Sequence, residues 1–160
     1  MRLYHGSTLR IERPDARHSR ANLDFGKGFY TTSFRAQAEN WAHRKALRTG
    51  ATPVVNVYEC AELSDAYHVR RFPDDRAWLD FICACRRGEE GYLAYDVIVG
   101  PVADDRVYDA VDLYYRGIWD EDTTLEAIRF YQRSDQYCFV SQAAIEGLLT
   151  FTEAYEVGRP

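Results

Sequence analysis

Apolar and polar positions follow two periods along this chain, and the places where the period changes mark its elements. Leu3 to Ser7 reads as a short first strand. Residues 8 to 24, rich in Arg, Asp, Asn and Ser and broken by Pro14, read as an irregular surface segment suited to ligand contacts. Phe29-Tyr30-Thr31-Thr32 has strand-forming residues, and Ser33 is placed to cap a helix running to about Arg48. In that helix Ala38, Trp41, Ala42 and Lys45 or Ala46 recur at spacings of three and four and make one inward face, and Gly50 supplies the stop. Val54 to Tyr58 is a β-branched strand. Asp74 or Asp75 caps a second helix with Trp78, Leu79, Ile82 and Cys83 or Cys85 inward, and a strand from Tyr95 to Val99 is closed by Gly100-Pro101. Val107, Ala110, Val111 and Tyr114 outline a third helix. Thr123 with Glu126 fits a capping box that opens a fourth, with Leu125, Ile128 and Tyr131 inward. Gln136 to Val140 returns to strand character, Ser141 caps a short helix from Ala143 to Leu148, and Phe151 to Val157 alternates as a last strand. Strands and helices are interspersed without the regular alternation of a doubly wound sheet, so the expected class is α+β.

The length of 160 residues suits one domain over residues 1–160, and the 46% hydrophobic content can build its core without disulfides or metal. A net charge of -5 gives no uniformly basic surface and disfavours a nucleic-acid partner. Cys60, Cys83, Cys85 and Cys138 form no CxxC pair and stand in hydrophobic stretches, which predicts buried thiols; Cys83 and Cys85 point to different sides of a helix, so no metal is expected. The first residues lack the apolar core of a signal peptide and no window reaches membrane-spanning length, so the expectation is a soluble, cytoplasmic protein. The supply of aromatic residues serves a core and stacking on a planar ring alike.

No GxGxxG turn and no phosphate-loop GKS or GKT is present. Two strings carry the chemistry instead: Leu3-Tyr4-His5-Gly6-Ser7, and Phe25-Gly26-Lys27-Gly28-Phe29-Tyr30-Thr31-Thr32 followed by a helix bearing Gln37-Ala38 and Trp41. A third, Asp135-Gln136-Tyr137-Cys138-Phe139-Val140, comes late. In this order they resemble the NAD-binding core of the poly(ADP-ribose) polymerase and diphtheria-toxin branch of ADP-ribosyltransferases, with Gln136 standing where that branch has its catalytic glutamate. The whole chain, including Tyr95 to Asp105, is also similar to small bacterial proteins of that superfamily. The resemblance implies a split mixed β-sheet core with peripheral helices. It implies NAD as co-substrate, with catalytic roles for His5, Tyr30 and Gln136 and NAD contacts from His5, Gly6, Ser7, Gly28, Phe29 and Tyr30.

Each residue also has a physical case. Gly6 lacks a Cβ, so a planar carboxamide can exchange backbone hydrogen bonds with it; Ser7, by the resemblance, adds another. His5 can offer a ring nitrogen to a ribose hydroxyl, the adenosine ribose in the resembled branch. Tyr30 presents a flat face to the cationic nicotinamide ring, and Gly26 and Gly28 permit the turn that brings it beside the first strand. Asp24 and Phe25 set that turn, and Lys27 reads as solvated. Glutamine at 136 accepts a hydrogen bond from the ribose 2′-hydroxyl but is no general base, which favours transfer of one unit over chain building. Asp135, its neighbour on a strand, should face the other way. The reading is a mono-ADP-ribosyltransferase acting on a macromolecule, protein before nucleic acid, with a place as the toxin of a toxin–antitoxin pair with a small antitoxin partner. The alternatives are a NAD glycohydrolase and an NAD-binding module without chemistry. Residues 8 to 24 and Tyr114 to Asp122 are the candidate target-facing segments.

Overall fold

The structure, a computed structural model, describes residues 1–102, 105–129 and 134–158. Among these residues the chain forms a mixed α/β fold of two sheets and five helices, compatible with the α+β class. One sheet is antiparallel, with order β1-β3-β7: β1 is Arg2–Ser7, β3 Val54–Cys60 and β7 Leu149–Glu156. The other has order β2-β6-β5-β4, with β2 Phe29–Thr31, β4 Val69–Arg71, β5 Val97–Pro101 and β6 Asp135–Phe139; its β4 and β5 are parallel and the remaining pairs antiparallel. Among the described residues a bridge joins the sheets where Tyr4 and Thr32 exchange backbone hydrogen bonds of 2.8 and 2.9 Å. Beyond it a cavity lined by residues of β1 and β2 opens between the two strands.

The alternation of side chains sorts the core into layers. Val55 and Val57 of β3 face Ala38 and Ala42 of helix α1, Arg35–Thr49. On the other side of that sheet, Leu3 and Tyr58 meet Phe29, Val97, Tyr137 and Phe139 of the second sheet, together with Ile145 and Leu148 of helix α5, Gln142–Leu148. Ile98 and Cys138 point to the far face. They pack there with Phe25, with Trp78, Leu79 and Ile82 of helix α2, Arg76–Arg86, and with Val107 and Val111 of helix α3, Asp105–Tyr115. Leu125 and Ile128 of helix α4, Glu121–Arg129, complete that cluster. All four cysteines are free and buried. No helix among the described residues is long and apolar enough to cross a membrane.

Several sequence expectations are corrected. Ser33 does not cap α1: its N–H and hydroxyl both bond to the Asp135 carboxylate, at 2.8 and 2.5 Å, and the cap position falls to Phe34, which has no side-chain bond to offer. Thr123 does not open α4, which begins at Glu121 with the Asp120 carboxylate accepting from the Thr123 N–H at 2.8 Å. The strand expected from Tyr95 to Val99 is Val97–Pro101, starting two residues later and ending at Pro101. Proline is tolerated there because it is the last position, where no ladder donor is needed. The short strand β4 had no sequence signal, and Tyr131 lies outside the described residues. Asp75 at α2 and Ser141 at α5 do cap their helices, accepting from the N–H groups of Trp78 and Ala144.

Candidate functional site

The gap between β1 and β2 is a cavity of about 610 Å³. Of the expected site residues, His5, Ser7, Gly28, Phe29, Tyr30 and Gln136 all line it. Gly6 does not. It lies against α1, where a Cβ would meet the Ala38 carbonyl oxygen at 2.1 Å, so the close approach that requires glycine here is by a helix. Gly6 nonetheless keeps a link to the site. Tyr4 bonds across to β2, and strand alternation turns the Gly6 N–H and C=O to that same side, into the gap. The carbonyl there accepts a 2.7 Å hydrogen bond from the Lys45 ammonium.

His5 is fixed on two sides. Its ring stacks on Phe29 at 4.4 Å, and Nδ1 donates to the Tyr30 carbonyl at 2.6 Å, an acceptor that forces the proton onto Nδ1 and leaves Nε2 as an acceptor. Burial, then the nearby Lys45 charge, push its pKa down to about 3 against the pull of the Tyr30 bond, so the imidazole is neutral. Tyr30 has its hydroxyl closed into the turn before it. It donates to the Gly26 carbonyl at 2.6 Å and accepts from the Phe25 N–H at 3.0 Å. Gly26 has φ +74, the left-handed backbone that this turn needs. Gly28 is pressed against β6, where a Cβ would lie 2.5 Å from the Cys138 sulfur, and its N–H donates to Ser19 Oγ at 2.9 Å. Desolvation raises the Tyr30 hydroxyl well above its ordinary pKa, so this residue supplies a ring face and no proton.

Gln136 pairs with Gly100 of β5 and lies on the same sheet face as Tyr30, because Tyr30 is opposite Cys138 and Gln136 lies two residues along. It is 4% exposed. Its amide nitrogen donates to Asp24 Oδ2 at 3.3 Å and to the Pro101 carbonyl at 3.2 Å; both are acceptors, so the amide oxygen is the end turned from them. Asp24 in turn takes two hydrogen bonds from the Arg86 guanidinium, at 2.7 and 3.1 Å. Asp135 faces away, committed to Thr32 and Ser33.

The sequence missed other members of the site. Trp41 and Lys45, expected on the inward face of α1, line the cavity; the inward positions are Ala38, Ala42 and Ala46. Lys45 is an exposed residue, yet desolvation and the charges of Arg20 and Arg48 hold its pKa down to about 8. Residues 8 to 24 supply much of the lining, including Leu9, Ile11, Arg13 and Arg20, with Asp24 contributing more than a turn. That segment is irregular but well held. The buried Asn56 accepts from the Ile11 N–H at 2.7 Å and donates to the Leu9 carbonyl at 2.9 Å, Tyr58 donates to the Ile11 carbonyl at 2.6 Å, and Gln142 bonds to Ala16 and Pro14. Lys27 is exposed and outside the cavity. Among the described residues no group of three or more His, Cys, Asp or Glu side chains could hold a metal ion.

No curated protein and no solved structure matches this chain. A family described as protein of unknown function (DUF3990) matches residues 1–151, and the chain belongs to that family.

Proposed function

We propose that this chain has an ADP-ribosyltransferase fold, binds NAD in the cavity between β1 and β2, and transfers a single ADP-ribose unit to a macromolecular acceptor. One observation carries the reading: His5, Tyr30 and Gln136, far apart in sequence, line one cavity of a size suited to a nucleotide ligand. A protein acceptor, a cytoplasmic setting and a role as the toxin of a toxin–antitoxin pair belong to the same proposal.

The residues divide the work. His5, neutral with its proton on Nδ1, offers Nε2 to a ribose hydroxyl. The Tyr30 ring stacks on nicotinamide, a cation–π contact of about 0.5 to 2 kcal/mol in the oxidised cofactor. Gln136, its amide nitrogen already engaged, accepts from the 2′-hydroxyl of the reacting ribose through its oxygen. The bond from the ribose anomeric carbon to the nicotinamide nitrogen breaks, and its electron pair leaves with neutral nicotinamide. The acceptor's nucleophile forms the new bond to that carbon and gives its proton to solvent. A neutral acceptor at 136 stabilises the developing oxocarbenium less than a carboxylate by about 1 to 2 kcal/mol, which slows the reaction without abolishing it.

A second reading has its own observation. Arg86 neutralises Asp24, and Gln136 is uncharged, so among the described residues lining the cavity no free negative charge stands beside position 136, as in a fold that binds NAD and does no chemistry. Incubation with NAD labelled in the adenosine separates the outcomes. Label on a macromolecule supports transfer; free ADP-ribose alone makes the chain a glycohydrolase; saturable binding without turnover favours the binding module; no binding refutes the NAD reading. Tyr30→Phe, which keeps the ring, is expected to retain affinity, whereas Tyr30→Ala lowers it about tenfold.

A further inference from the structure

Lys45, Arg20 and Arg13 line the cavity, and among the described residues none of the three makes an ion pair. The two carboxylates in the same lining are occupied, Asp15 by Arg17 and Asp24 by Arg86. His5 is neutral, so it supplies no positive charge at neutral pH. Three cations thus gather around one opening without a counter-ion, and Lys45 and Arg20 are close enough for the guanidinium to disfavour the charged ammonium. Such a concentration of like charge is unfavourable by itself and favourable for an anion that enters between them. The Lys45 ammonium meanwhile rests on a neutral carbonyl, that of Gly6, a weaker partner than a charged oxygen.

We propose that Lys45 and Arg20, with Arg13 at the rim, form a diphosphate-binding subsite. The inference deepens the NAD reading, and on that reading names the part of the ligand these residues hold. Tyr30 and Gln136 share the cavity lining with Lys45, Arg13 and Arg20, so a dinucleotide whose nicotinamide meets Tyr30 can set its diphosphate against these cations. On binding, the ammonium exchanges the Gly6 carbonyl for phosphate oxygens, and the freed carbonyl becomes available to the nicotinamide carboxamide. Lys45 therefore links the two halves of the ligand: the diphosphate removes the group that blocks the carboxamide.

Titrating the full chain with inorganic pyrophosphate in a calorimeter tests the subsite without the rest of the dinucleotide. The native chain should bind it more tightly than inorganic phosphate. Lys45→Met should weaken binding at least about tenfold, Lys45→Arg should recover most of it, and Arg20→Gln should weaken it about three- to tenfold. Arg20 is exposed, so its substitution leaves the fold intact, and thermal unfolding of the Lys45 variants checks theirs. Pyrophosphate that fails to bind, or binds all four proteins alike, overturns the subsite, as does a Lys45→Arg variant as weak as Lys45→Met. Pyrophosphate binding that depends on Lys45 and Arg20 in a chain that takes up no NAD keeps the subsite and removes the NAD reading. NAD affinity indifferent to both substitutions does the reverse.

Discussion

Replacing Gln136 by glutamate would set a carboxylate oxygen where an amide now donates, 3.3 Å from Asp24 Oδ2 and 3.2 Å from the Pro101 carbonyl. Restoring the charge that the resembled enzymes use is therefore not a neutral act in this chain. Two acceptors would face a third in a site only 4% exposed, so Gln136→Glu should lose about 1 to 3 kcal/mol of stability and carry a raised carboxyl pKa. Adding Asp24→Asn should recover part of that loss, since the asparagine can donate to the new carboxylate; urea denaturation of the single and double variants measures both effects. A Gln136→Glu chain as stable as the native one would mean that the Asp24 contact is immaterial. His5 makes a second residue-scale prediction. Its pKa is about 3 in the fold against 6.5 as the ordinary value, so between those limits the unfolded chain binds a proton that the folded chain refuses. Its contribution is complete above about pH 6.5 and is lost as pH falls toward 3, at up to about 1.4 kcal/mol per pH unit. In His5→Gln the whole stability curve should drop with the loss of stacking on Phe29, but its slope over this window should flatten, and equal slopes would show that the imidazole is not held neutral.

At the element scale, β1 and α1 approach closely at Gly6. Gly6→Ala would place a Cβ 2.1 Å from the Ala38 carbonyl oxygen and 2.7 Å from the Ala42 nitrogen, both backbone atoms that cannot rotate aside. A loss of about 3 kcal/mol or more is expected in urea denaturation, because α1 must back away from the sheet; a loss under about 0.5 kcal/mol would show that the helix gives way freely. The same contact explains what the sequence could and could not convey. Asp75 and Ser141 are legible as caps because their partners lie three residues away, and β3 is legible because β-branched residues run along it. Ser33 has the same local qualification as Ser141, but its hydroxyl is claimed by Asp135 from 102 residues away. β4 is three residues long with two arginines, too short to show a period. Lys45 defeats periodicity differently: it stands at an inward spacing on α1, and only the gap between β1 and β2 gives its ammonium somewhere to go. Asn56, inside a strand of valines, reads as an interruption until the loop it holds is seen. The three motif residues of the site were legible only through the order of their strings, since no local pattern relates position 5 to position 136.

For the molecule as a whole, both sheets, α1 and residues 8 to 24 meet at the cavity. Among the described residues, the bridge at Tyr4 and Thr32 and the contact of His5 with Tyr30 join β1 to β2, while Asn56, Tyr58 and Gln142 hold the loop. A ligand that touches His5, Tyr30, Gln136 and Lys45 together would cross-link all of these parts, and every one of those contacts is absent from the unfolded chain. Binding to the folded state alone stabilises it by about 2.7 kcal/mol when the ligand is at one hundred times its dissociation constant. For a chain of this size that corresponds to a rise in Tm of roughly 5 to 11 °C. NAD should produce such a shift in a thermal melt, with the chain cut more slowly by protease within residues 8 to 24. Nicotinamide and pyrophosphate supplied as separate molecules should each give a smaller shift, because neither reaches both ends of the cavity. A melt in which NAD does no better than its fragments would mean that the two ends of the cavity do not act on one molecule, and the joined site would have to be abandoned even if each end binds its fragment.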